Sequence, residues 1–117
     1  MKTVMRVTKA LADVQRVRIL MLLQEGELCV CQIVEVLGLA GSTISKHLSI
    51  LEDADLIACR KDGRWAYYRQ GAMAAPVRKW VNQSLEADPE ILRDRKKLKR
   101  VTACPPTVLR ERQRRVP

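Results

Sequence analysis

Apolar positions recur at helical spacing along the first part of the chain. Val4, Met5, Val7 and Leu11 predict a short amphipathic helix over residues 3–11. Val14, Val17, Leu20, Met21 and Leu23 predict a second, with Asp13 as its N-cap and Gly26 as its stop. A third short helix runs from about residue 30 to Leu37, and GLAG at 38–41 makes a turn. STISKHLSILEDA, residues 42–54, reads as a fourth helix. It buries Ile44, Leu48 and Leu51 and turns Ser42, Thr43, Ser45, Lys46, His47 and Ser49 the other way. The period then falls to two. LIACR and RWAYYR flank Lys61-Asp62-Gly63, and Asp-Gly between two strand-like runs signals a hairpin. Residues 73–87 return to helix, with Pro76 confined to the first turn. A charged helix follows to about Arg100, Cys104-Pro105-Pro106 breaks it, and the last residues are expected to be disordered.

The order of elements carries more than any one of them. A short helix, a tight turn, a polar-faced helix and a basic hairpin make a winged helix-turn-helix, mainly α with a small β-hairpin (α+β). Residues 1–87 form that domain, and 88–117 a basic, partly helical to disordered tail. The fourth helix has the two faces a recognition helix needs, one apolar for docking and one small and hydrogen-bonding for the major groove. Ser42, Thr43, Ser45, Lys46 and His47 are its candidate DNA contacts, and Arg60, Lys61 and Arg64 those of the wing. His47 is the single histidine and is read as a DNA contact only.

Charge sharpens this picture. The net charge of +9 suits a polyanionic partner. Ten Lys/Arg and four Asp/Glu fall in 88–117, so most of the excess lies in the tail. That tail either adds phosphate contacts or is a solvated appendage. No apolar run approaches the roughly 20 residues of a membrane span. The N-terminus has no apolar signal core, which points to the cytoplasm.

Four cysteines in such a chain are expected as free thiols, ligands or sensors rather than as a disulfide framework. Cys29 and Cys31 lie one residue apart in ELCVCQIVEVL, residues 27–37. A bridge between them is disfavoured by its small ring. On a regular helix, residues two apart point about 200° away from each other. One ion can therefore hold both only if the first turn is irregular or unwinds. Soft thiolates select soft ions, and a helix start favours thiolate. The plain alternative is two small core residues.

The stretch from Glu27 to Arg69 resembles the ArsR branch of the ArsR/SmtB family of metal- and metalloid-responsive repressors. Glu27-Leu28-Cys29-Val30-Cys31, Ser42-Thr43-Ile44-Ser45-Lys46-His47-Leu48 and Asp62-Gly63-Arg64-Trp65 carry the likeness. The resemblance implies a homodimeric repressor that binds double-stranded operator DNA. Trivalent arsenic, As(III), at cysteine thiolates would release it, with Sb(III) or methylarsenite as related inducers. It implies dimerisation through residues 3–11 and 73–87. Val34 stands where the family often has a third cysteine, so Cys104 is the first candidate for a third ligand and Cys59 the second. Ala40-Gly41 replaces the usual Ser-Gln, and Asp55 the usual Gly. The last helix of the domain lacks the family's zinc-site pairs.

Three other classes stay in view. An enzyme would need a base or substrate loop beside the cysteines, and none is legible. A repressor of the same fold could be triggered by thiol oxidation. A constitutive DNA-binding protein would carry inert cysteines.

Overall fold

The structure is a computed structural model and describes residues 1–114. Disorder at the extreme C-terminus, expected from the sequence, concerns in part residues 115–117, which lie outside the described residues. Among the described residues seven α-helices and three strands follow in the order α1 (Lys2–Leu11), α2 (Val14–Leu22, continued by a 3-10 turn over Leu23–Glu25), β1 (Leu28–Cys29), α3 (Val30–Leu37), α4 (Gly41–Asp53), β2 (Ile57–Asp62), β3 (Trp65–Gln70), α5 (Ala74–Leu85), α6 (Pro89–Thr102) and α7 (Pro106–Arg114). The order is that of a winged helix-turn-helix.

Local chemistry accounts for most boundaries. The Asp13 carboxylate accepts from the N–H groups of Gln15 (2.8 Å) and Arg16 (3.3 Å), two donors that the first turn of α2 leaves unpaired. Partial burial opposes its ionisation, but those two hydrogen bonds together with the nearby Arg16 charge hold the carboxyl below its ordinary range. Gly38 ends α3 in the left-handed conformation, φ +69°. Ala40 caps α4 with no side-chain hydrogen bond, as its methyl dictates, and α4 begins at Gly41, one residue earlier than the sequence predicts. Asp55 takes φ +56° at the exit of α4. Asp88 caps α6 through Glu90 N (2.9 Å) and Ile91 N (3.3 Å), with Pro89 in the first turn, where its missing N–H costs nothing.

β2 and β3 form the wing, paired from Ile57↔Gln70 to Asp62↔Trp65. The two-residue loop is therefore Gly63-Arg64, not a turn centred on Asp-Gly. Gly63, first of the two, has φ +60°. The hairpin expectation is also extended by one strand: β1 adds antiparallel to β3, giving the order β1-β3-β2.

The core runs through Ile19, Leu22, Ile33, Ile44, Leu48, Leu51, Leu56 and Ile57, all fully buried. Val14, expected in the buried stripe of α2, is exposed instead, because α2 presents Ile19 to Leu22 inward. Val4 and Met5 of α1 are also exposed, as is Trp80 of α5 (59%, 58% and 64%).

The wing returns to the body at Gly71. Its N–H donates to Leu56 O (2.8 Å), and a Cβ there would stand 2.5 Å from Asp55 O. That neighbour is backbone and cannot swing aside. We expect Gly71→Ala to cost about 1–3 kcal/mol and to lower the thermal midpoint by several degrees, read by circular dichroism.

Residues 88–114 are folded onto the body. α6 packs on α2 and α3, with Ile91, Leu98 and Val101 buried. The Arg18 guanidinium grips Asp94 with two hydrogen bonds, 2.9 and 2.8 Å. The expected disorder after Pro106 is corrected over 106–114. These residues form α7, which lies on α3 with Leu109 buried.

Candidate thiol site and nucleic-acid interface

Cys29 is not in the helix. It ends β1, paired with Tyr67, and serves as N-cap of α3 with extended backbone (φ −81°, ψ 162°). The Gln32 side-chain oxygen accepts from its N–H at 2.9 Å. The break from helical geometry turns the Cys29 side chain towards Cys31 in the first turn. The Cα atoms are 5.5 Å apart and the two sulfurs are joined as a disulfide. The expectation that the small ring disfavours a bridge is thus overturned: the extended backbone of Cys29 sets the two Cα atoms at bridging distance. Of the two routes to a shared ligand, the irregular first turn is the one realised.

Both cysteines are buried, at 1% and 6% exposure. A cavity of about 200 Å³ opens beside them, walled by Val30, Trp65, Ala66, Arg110 and Gln113 among others. The C-terminal helix closes one side: Gln113 Nε2 donates to the Cys31 carbonyl (2.8 Å), and Arg110 stacks 4.8 Å over the Trp65 ring. None of Trp65, Arg110 and Gln113 stands out in the sequence as part of this site. Only the arginine density of the tail hinted at any role.

The other two cysteines are apart from the pair. Cys104, half-buried in the turn between α6 and α7, packs against the core, so it is held rather than free to loop back. Cys59 is half-buried in β2 opposite Tyr68. Burial, and then the neighbouring thiol, pushes the Tyr68 phenol up to about 12. Among the described residues no group of three or more Cys, His, Asp or Glu side chains is assembled to hold a metal ion. Cys29 and Cys31 bring two sulfurs together at the start of α3. Once reduced, both thiolates can face one soft centre from the positions they already hold.

The candidate nucleic-acid face is made by α4 and the wing. Ser42, Thr43, Ser45 and Lys46 are all exposed on α4, and Lys61 and Arg64 are exposed at the wing tip. His47 and Arg60 are already engaged within the protein. His47 Nδ1 faces Arg16 Nη1 at 3.3 Å, and Arg16 also donates to Ala10 O (2.8 Å) and Lys9 O (3.1 Å), so His47 braces the joint between α1, α2 and α4. Arg60 Nη2 donates to Glu27 at 2.6 Å and its guanidinium lies 4.7 Å over Tyr67, fastening the wing to the start of β1. That hydrogen bond holds the Glu27 carboxyl below its ordinary range. Both partners come from distant sequence, beyond the reach of local spacing.

A tight turn, an exposed polar helix and a basic hairpin on one frame define a winged helix-turn-helix regulator. Residues 13–58 match the family described as bacterial regulatory protein, arsR family. The chain is 41% identical over 81 residues to the arsenic resistance transcriptional regulator ArsR1 of Pseudomonas putida, covering 68% of this chain and 61% of that one. It is 35% identical to ArsR2 of the same organism, also over 81 residues and 68% of each chain. Its fold matches the solution structure of Mb0332 from Mycobacterium bovis, a homodimeric winged helix-turn-helix DNA-binding domain and possible ArsR-family regulator. The TM-score is 0.62 at 33% identity, over 75% of this chain and 86% of that one. The chain belongs to the ArsR family, whose members are transcriptional regulators and not enzymes. It spans 61% of the length of ArsR1, less than two thirds. No helix among the described residues is long and apolar enough to cross a membrane.

Proposed function

We propose that this protein is a cytoplasmic, homodimeric repressor that senses trivalent arsenic through Cys29 and Cys31 and then leaves its operator. The observation that carries the reading is the pairing of the two sulfurs at the N-cap of α3, the helix that leads directly into α4. Once a thiol reductant has opened the Cys29–Cys31 disulfide to two thiols, each As–S bond forms as a thiol proton leaves with an arsenic-bound hydroxyl as water. Two such bonds bring both cysteines onto one arsenic. Release requires the arsenical to favour the DNA-free conformation over the DNA-bound one, since equal affinity for both would shift nothing. A two-thiolate site suits methylarsenite as well as arsenite, because the methyl group occupies the third position on arsenic. Ser42, Thr43, Ser45 and Lys46 would meet the major groove and Lys61 and Arg64 the flanking phosphates. The dimer would form across the exposed apolar groove of Val4, Trp80 and their neighbours, about 350 Å³ between α1 and α5.

The test is fluorescence anisotropy of a labelled duplex from the DNA upstream of the protein's own gene, titrated with arsenite and with methylarsenite under reducing conditions. Release by either is expected, and retention against both ends the metalloid reading. The disulfide itself favours a second reading, a thiol-redox repressor. Release by peroxide, reversed by reductant and not reproduced by arsenicals, would establish it instead.

A further inference from the structure

We infer that α7 is an arm of the nucleic-acid interface, placing Arg110 and Arg114 against the phosphate backbone beside the start of α4. The inference rests on the DNA-binding reading above and adds a segment that lies outside the helix-turn-helix and the wing.

Contacts along its length dock α7 on the body. Leu109 is buried at 1% exposure, Gln113 donates to Cys31 O, and Arg112 pairs with Glu35 at 3.1 Å. A solvated appendage would have none of these. The docked helix spans the two DNA-reading elements. Arg110 stacks on Trp65, next to the wing residue Arg64. Arg110 and Arg114 also line an open groove of about 590 Å³ whose other wall is the helix-turn-helix turn, Gly38 to Gly41. Stacking on a ring occupies the face of the Arg110 guanidinium and leaves its in-plane N–H donors for a phosphate. One carboxylate, Glu35, lines the same groove. It is engaged by Arg112 and by Gln113 (3.3 Å), which offsets the charge it would otherwise present to an anion. The recognition helix has Ala40-Gly41 at its start, with no cap side chain to meet a phosphate there. Arginines from α7 stand beside that gap.

The experiment measures the salt dependence of binding by the full chain to two duplexes of about 30 base pairs, or three helical turns. One comes from upstream of its own gene and the other is scrambled. Wild type is compared with Arg110→Gln/Arg114→Gln, with Arg114→Gln alone, and with Lys96→Gln/Lys97→Gln, which removes the same charge from α6. The double variant should show a slope of log K on log salt shallower by about 0.9 for each phosphate no longer neutralised, on both duplexes alike. Arg114→Gln alone should show about half that change, and the α6 variant almost none. Thermal unfolding checks that each variant is folded. If Arg110→Gln disturbs docking, Arg114→Gln on the helix surface decides the question. An unchanged slope, tighter binding, or an equal effect of the α6 variant overturns the inference while leaving the DNA-binding reading intact. Failure of wild type to bind either duplex overturns both.

Discussion

With Cys29 and Cys31 both replaced by serine, the protein is expected to stay on its DNA at the arsenite concentrations that the proposed mechanism requires to release wild type. The effector concentration needed should rise by at least about 100-fold, equivalent to about 2.7 kcal/mol. A serine oxygen is a hard donor and forms no lasting bond with a soft metalloid, so both bonds are lost. The fold should survive, because serine is among the best N-cap residues and nearly matches cysteine in size. Unaltered DNA affinity in the absence of effector, together with an unaltered thermal midpoint, would show that the sensor alone was removed. Each single variant should also fail, since one thiolate cannot chelate. A double variant that still responds to arsenite would show that Cys29 and Cys31 are not the sensor.

The second large effect is expected at Asp94. Its carboxylate is buried, and so is most of the Arg18 side chain that holds it. Asp94→Ala leaves a guanidinium inside the α2–α6 joint, with the neutral Gln15 side-chain oxygen at 2.7 Å and the half-exposed Glu90 at 3.5 Å left beside it. We expect a loss of about 3–5 kcal/mol in urea-induced unfolding. That is a large share of the roughly 5–15 kcal/mol that holds a domain together. Replacing both partners, Arg18→Met with Asp94→Leu, should recover most of the loss, because the stranded charge rather than the missing attraction dominates the cost. A loss below about 1 kcal/mol for Asp94→Ala would mean that water reaches the pair.

What was legible in the sequence was whatever local spacing encodes. Asp13 announced α2, Ile44, Leu48 and Leu51 announced α4, and the change of period at Leu56 announced the wing. Contacts with distant partners were not legible. His47 and Arg60 look like DNA contacts on their own elements, and local spacing gives no sign that Arg16 and Glu27 also engage them. The helix start near residue 30 is legible in the apolar VCQIVEVL, but the strand that holds Cys29 just before it is too short to show a period. α7 was missed because Pro105-Pro106 resembles a breaker. Pro106 is instead the first residue of the helix, and one buried leucine is too little pattern to detect. Val4, Met5 and Trp80 fit a buried stripe by spacing, but the single chain leaves them uncovered.

The placement of β1 has a mechanical consequence. Cys29 is the last residue of the strand that flanks the wing sheet and the cap of the helix that precedes the reading head. The proposed sensor is paired to the wing strand β3 on one side and joined through α3 to α4 on the other, the two fingers that would straddle a duplex. A shift of the Cys29 backbone is therefore geared to both fingers at once and changes the span between them. A rigid duplex, with its fixed groove spacing, tolerates that kind of misfit least.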